Sequence, residues 1–106
     1  MIEPVLVVED YGDLRTAILA ALTRAEVSCV GAASPADAIR KLRESRYSAI
    51  VIDPTVPLRE DPVMLFLQEH QPAELQKIVI LGEESSQYPT IRKPFNSSDL
   101  VDRVRR

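Results

Sequence analysis

The sequence predicts an α/β fold: a doubly wound parallel sheet with helices on both faces, formed by residues 1–106 as one domain. Three observations lead there. Short apolar runs (VLVV, AIVI, KIVIL) are unbroken rather than alternating, as strands buried on both faces require. Between them lie segments whose apolar residues recur every three or four positions, the period of a helix with one buried side. Strand and helix signals alternate along the whole chain, the order of a parallel sheet with crossover helices.

Taken in order, residues 5–8 form the first strand, which breaks at Glu9-Asp10-Tyr11-Gly12. From Asp13 a helix is expected to bury Leu14, Ala17, Ile18, Ala21, Leu22 and Ala25. Residues 27–32 make a weaker second strand. Ser34-Pro35-Ala36-Asp37 has the form of a capping box with proline at the first helical position, after which Ile39 and Leu42 face inward. The third strand runs into AIVIDPTVP, where Pro54 cannot donate to a ladder and ends the strand at Asp53. Asp61-Pro62 opens a helix that buries Val63, Phe66 and Leu67. Residues 77–81 are the fourth strand and residues 90–92 a very short fifth. Asn96-Ser97-Ser98-Asp99 caps a last helix with Leu100, Val101 and Val104 inward.

Composition excludes several classes. A net charge of −3 gives no electrostatic ground for binding nucleic acid or an anionic membrane. The longest apolar runs fall far short of a membrane span or signal-peptide core. Cys29, the single cysteine, cannot form an internal disulfide, which fits a reducing cytoplasm. Several residues read as structural: Asp61 as a helix cap, His70 as a surface residue and Cys29 as a small core residue. Arg103, Arg105 and Arg106 suit the negative end of the last helix.

The acids at strand ends are different. In open parallel sheets the binding crevice lies beyond the carboxyl ends of the strands. Glu9 and Asp10 follow the first strand and Asp53 the third, so neighbouring strands would bring three carboxylates together. Two carboxylates ~4 Å apart repel by ~4 kcal/mol at an effective dielectric near 20, so the cluster calls for a cation. A hard divalent ion with oxygen ligands, Mg²⁺, is the natural choice. Lys93, after the fifth strand, adds a positive charge to the same crevice.

VLVVEDYGDLRTAI, AIVIDPTVP and RKPFN, in this order, resemble the three signatures of response-regulator receiver domains. The correspondence places the family's acidic pair at Glu9 and Asp10, its phospho-accepting aspartate at Asp53 with a proline four residues on at Pro57, and its Lys-Pro dipeptide at Lys93-Pro94. The resemblance implies a flavodoxin-like sheet of five strands in the order 2-1-3-4-5, accepting a phosphoryl group from a histidine kinase or phosphotransfer protein. Asp53 is then the nucleophile. Asp10, Asp53 and the backbone carbonyl of Thr55 ligate Mg²⁺, Glu9 acts through a water molecule, and Lys93 holds a phosphoryl oxygen. A downstream protein or output domain receives the signal. The domain is then a phosphoacceptor and not an enzyme, beyond phosphorylating itself from small donors and dephosphorylating itself.

The chain departs from that pattern in ways that bear on its function. The family's Ser or Thr at the end of the fourth strand is Gly82, with no hydroxyl, and the next position is the bulky anion Glu83. Thr90 stands where an aromatic is common, and Pro54 removes a backbone N–H beside the nucleophile. Between Gly82 and Thr90 lie only seven residues, EESSQYP. Seven residues reach at most ~25 Å fully extended, too short for a helix with two loops. The fourth helix of the family is therefore expected to be missing or reduced to one turn. These departures support an alternative, a phosphorylation-independent pseudo-receiver acting as a protein-interaction module. An aspartate-nucleophile phosphohydrolase is disfavoured, because Thr55 stands where such enzymes carry a second aspartate.

Overall fold

The computed structural model describes residues 3–82, 87–93 and 95–105. Its five strands are β1 (Val5–Val8), β2 (Cys29–Ala32), β3 (Ala49–Ile52), β4 (Ile78–Leu81) and β5 (Thr90–Ile91). They form one all-parallel sheet in the order β2-β1-β3-β4-β5. The helices are α1 (Gly12–Arg24), α2 (Pro35–Glu44), α3 (Pro62–His70) and α4 (Ser97–Arg105). Short 3₁₀ turns at Leu58–Glu60 and Pro72–Lys77 flank α3 and were not expected from the sequence.

The unbroken apolar runs divide between two cores by strand alternation. Leu6, Val8, Ile50, Ile52, Ile78 and Ile80 pack under α2 and α3. Val5, Val7, Ala49, Val51, Val79 and Leu81 point the other way, under α1 and α4. Each fully buried Val, Leu or Ile side chain among them contributes about 1.5–3 kcal/mol, so two-sided burial is what makes these short strands worth forming.

Local chemistry sets the helix starts. Ser34 Oγ accepts from the Asp37 N–H at 3.1 Å, and Asn96 Oδ1 accepts from the Asp99 N–H at 2.9 Å. Asp61 Oδ1 accepts from the N–H groups of both Val63 (2.9 Å) and Met64 (3.1 Å) while only 5% exposed, which is a cap inside the core. The C-terminus of α1 turns through Glu26 at φ 61°, a left-handed residue that folds the chain back toward β2.

Some sequence expectations need correction. Ala17, expected to be buried, is exposed and lines an apolar groove of about 580 Å³ between α1 and α4. The groove leaves the small side chain uncovered. β2 begins at Cys29 rather than Val27, because Val27 still completes the α1 terminus through its N–H to the Leu22 carbonyl. Lys77 belongs to a 3₁₀ turn and Arg92 lies outside β5. Cys29 is half-buried, with its Sγ near the Leu19 carbonyl. His70 is exposed, as expected, with its ring tilted 38° against that of Phe66.

The return from β4 to β5 contains no helix in its described part, Gly82 and residues 87–89. Residues 83–86, and with them Glu83 and the residual helical turn expected there, lie outside the described residues, as do Pro94 and Arg106. On this side of the sheet Leu75, from the second 3₁₀ turn, and Tyr88 pack against the core that holds Ile78 and Ile80.

Candidate functional site: an acidic mouth with a lysine

Register builds the site. Val8 pairs with Ile52 across β1 and β3, so the next residues, Glu9 and Asp53, leave the sheet side by side. The last ladder bonds confirm the level: Asp53 N–H donates to the Val8 carbonyl at 3.2 Å, and Glu9 N–H to the Ala32 carbonyl at 3.1 Å. Pro54 cannot continue the ladder, and the chain turns away there.

Lys93 follows β5 after a gap of 40 residues from Asp53, yet its Nζ donates to Asp53 Oδ2 at 2.5 Å. Asp53 is largely covered, its side chain 14% exposed, while Lys93 is 40% exposed. The pair is therefore a partly desolvated ion contact that solvent screens only in part.

Glu9 is the unusual member. It is 2% exposed, and its Oε1 accepts from the Tyr11 N–H at 3.0 Å. Its Oε2 is buried with no hydrogen-bond partner among the described residues. Burial, then the proximity of Asp53 and, more weakly, Asp10, raises its pKa from 4.5 to about 7. The two observations agree physically: as a carboxylate Oε2 has no donor, whereas the protonated acid can itself donate toward Asp53. Asp10 and Thr55 are exposed at the rim of the mouth.

These residues fit a hard cation. Once Glu9 is ionised, its orphaned, buried oxygen stands beside a second carboxylate with no donor of its own among the described residues, since the Lys93 ammonium is engaged with Asp53. Among the described residues no three His, Cys, Asp or Glu side chains converge closely enough to form a metal cage by themselves. A cation here would depend on two carboxylates with backbone and water oxygens, the usual manner of Mg²⁺.

Gly82 ends β4 with its N–H on the Ile91 carbonyl at 3.0 Å. Its φ is +121°, a conformation that L side chains rarely adopt, although a Cβ there would meet no described atom within 4 Å. The missing hydroxyl is thus matched by a backbone that does not suit Ser or Thr.

Sequence reasoning missed Arg15. Its Nη1 donates to the backbone carbonyl of Glu9 at 2.8 Å. A basic residue one turn into the helix that follows the acidic pair, with the lone Gly31 in the adjacent strand, was the available signal.

The strand order, the two-sided helix cover and the acidic crevice at the carboxyl ends define the fold of response-regulator receiver domains. Among solved structures, the chemotaxis protein CheY4 of Vibrio cholerae superposes with a TM-score of 0.80 at 21% identity, covering 99% of this chain and 98% of that one. The receiver domain of a sensor histidine kinase from Pseudomonas aeruginosa, solved with a magnesium ion in its active-site cleft, gives 0.78 at 21% identity over 99% and 96%. The BeF3-activated DrrB receiver domain gives 0.75 at 18% identity over 99% and 96%. At these identities the likeness establishes the fold. No protein-family model and no curated protein sequence matches the chain. No described helix is long and apolar enough to cross a membrane.

Proposed function

We propose that the chain is an atypical receiver domain that accepts a phosphoryl group on Asp53 in a Mg²⁺-dependent reaction and relays a two-component signal. The observation that carries the reading is the contact of Lys93 Nζ with Asp53 Oδ2 at 2.5 Å beside the buried, half-satisfied Glu9. A purely structural ion pair would not need a second, orphaned carboxylate against it.

Asp53 attacks the phosphorus of a phosphohistidine in line. A carboxylate O–P bond forms as the N–P bond breaks, and the imidazole leaves. Lys93 already holds the nucleophile and passes its N–H to a phosphoryl oxygen as charge builds there. Asp10, Asp53 and the Thr55 carbonyl would hold Mg²⁺, with Glu9 acting through a water molecule. The ion, when bound, supplies positive charge to the phosphoryl oxygens. The phosphodonor is a histidine kinase or phosphotransfer protein, the recipient a downstream protein or output domain, and the setting cytoplasmic.

A second reading, the phosphorylation-independent pseudo-receiver, is favoured by Gly82, whose φ of +121° suits no hydroxyl-bearing residue. Incubation with a small phosphodonor, with and without Mg²⁺, followed by mass spectrometry, decides between them. A phosphoryl adduct that needs Mg²⁺ and vanishes in Asp53→Asn supports the first reading. A protein that stays unlabelled under both conditions supports the second.

A further inference from the structure

We infer that Arg15 is a positioning residue for the acidic mouth, given its path by the missing side chain of Gly31; the inference rests on the reading of that mouth as a Mg²⁺ site. Arg15 Nη1 donates to the carbonyl oxygen of Glu9 at 2.8 Å. That carbonyl belongs to the peptide plane joining Glu9 to Asp10, and the plane is rigid. One charge-assisted hydrogen bond therefore sets the direction in which both acids leave the backbone.

The route of Arg15 depends on β2. A Cβ added at Gly31 would stand 3.2 Å from Arg15 Cδ, 3.5 Å from Arg15 Cγ and 2.9 Å from Leu19 Cδ1. A side chain here displaces the tip of Leu19 and makes the stem of Arg15 give by a few tenths of an ångström, enough to disturb the aim of its guanidinium at Glu9. Gly31 does not yield easily. It pairs with Val7 in the sheet, and its carbonyl accepts from Lys41 Nζ at 2.8 Å. Lys41 is in turn held by Asp37 Oδ2 at 2.8 Å. The strand is thus a fixed wall against which Arg15 is laid.

Glu9 offers a local reporter, because its Oε1 accepts from the Tyr11 N–H. A shift of the peptide plane moves the carboxylate and changes that amide. The Tyr11 amide signal can be read by NMR in metal-free protein, independently of any ion.

The test measures Mg²⁺ affinity by calorimetry and the Tyr11 amide by NMR in wild type, Arg15→Met, Arg15→Lys and Gly31→Ala, each checked for a cooperative melt. Arg15→Met should weaken Mg²⁺ binding about tenfold, the low end for outer-shell partners of a metal site, and shift the Tyr11 amide. Arg15→Lys keeps a donor on a similar stem and should recover part of both. Gly31→Ala, whose new methyl lies away from the acids, should reproduce the affinity loss and add nothing to it in the Arg15→Met background. Unchanged affinity and an unmoved Tyr11 amide in folded Arg15→Met would overturn the role of Arg15. So would a loss in Gly31→Ala that simply adds to that of Arg15→Met. If wild type binds no Mg²⁺, the reading of the site fails, and the Tyr11 amide then decides through Gly31→Ala, which leaves residue 15 and its N–H bond to the Tyr11 carbonyl in place: moved in both Gly31→Ala and Arg15→Met, it upholds Arg15 as the positioning residue; unmoved in either, it overturns it.

Discussion

Replacing Glu9 by glutamine should make the metal-free protein more stable, by an amount that depends on pH. Glu9 is 2% exposed, its Oε2 has no partner among the described residues, and its pKa is raised from 4.5 to about 7 by burial and by Asp53 and Asp10. Below pH 4.5 the acid is protonated in folded and unfolded chains alike and costs nothing. Between pH 4.5 and about 7 the unfolded chain releases the proton while the folded one keeps it, so stability falls as pH rises through this window. Above that window the full penalty stands, about 3 kcal/mol for a pKa difference of this size. Glutamine has the same shape and no charge. Its carbonyl can accept from the Tyr11 N–H, and its amide can donate toward the carboxylates of Asp53 and Asp10. Urea unfolding followed by circular dichroism reads the effect. At about pH 8, with an m-value of roughly 1.5 kcal/mol/M, the Glu9→Gln midpoint should lie about 2 M above wild type. The gap should close as pH falls toward about 4, where both side chains are neutral. Adding Mg²⁺ should narrow it from the other side, because the ion stabilises wild type more than the variant. Equal midpoints at the alkaline end, or a gap that widens toward acid, would refute the account of Glu9 as a buried, uncompensated carboxylate.

Gly82→Ser should lower stability by about 1–2 kcal/mol, because a φ of +121° is strained for any side chain. Gly82→Ala should do the same in the same urea assay, and a stable serine variant would contradict the backbone argument. Asp61→Ala removes an acceptor from two N–H groups at a buried cap, with an expected loss of about 1–2 kcal/mol. Phosphodonor labelling of Asp53 in that variant should be unaltered, since Asp61 belongs to the core; lost labelling in a folded variant would argue otherwise. With beryllofluoride and Mg²⁺, amide shifts should concentrate at Glu9, Asp10, Asp53 and Lys93, because Gly82 and Thr90 offer neither a hydroxyl at the end of β4 nor a ring. Large shifts across residues 83–92 and into α4 would show that this face does switch.

Much of this protein was legible in the chain because the relevant interactions are local. Ser34, Asp61 and Asn96 cap helices through N–H groups two or three residues on, so their neighbours in sequence suffice to identify them. VLVV, AIVI and IVIL announced strands because a sheet covered on both faces buries every residue of a run, and these runs are short and rich in β-branched residues. The acids Glu9, Asp10 and Asp53 stood out because a charge directly after such a strand marks where the buried sheet ends. Other features are set by contacts between distant segments. Which flank of α1 is covered depends on where α4 lies, so Ala17, inward by periodicity, is exposed in the groove. The pairing of Val8 with Ile52 placed Glu9 against Asp53, and burial then left one of its oxygens without a partner. The reach of Arg15 across Gly31 to the Glu9 carbonyl, and the positive φ of Gly82, follow from how strands and helices settle together. The sequence by itself determined the main strands and helices and which residues stand at the strand ends, since periodicity and capping act within a few residues. The tertiary structure alone decided burial, charge state and reach, because desolvation and register arise only when segments far apart in the chain pack against each other.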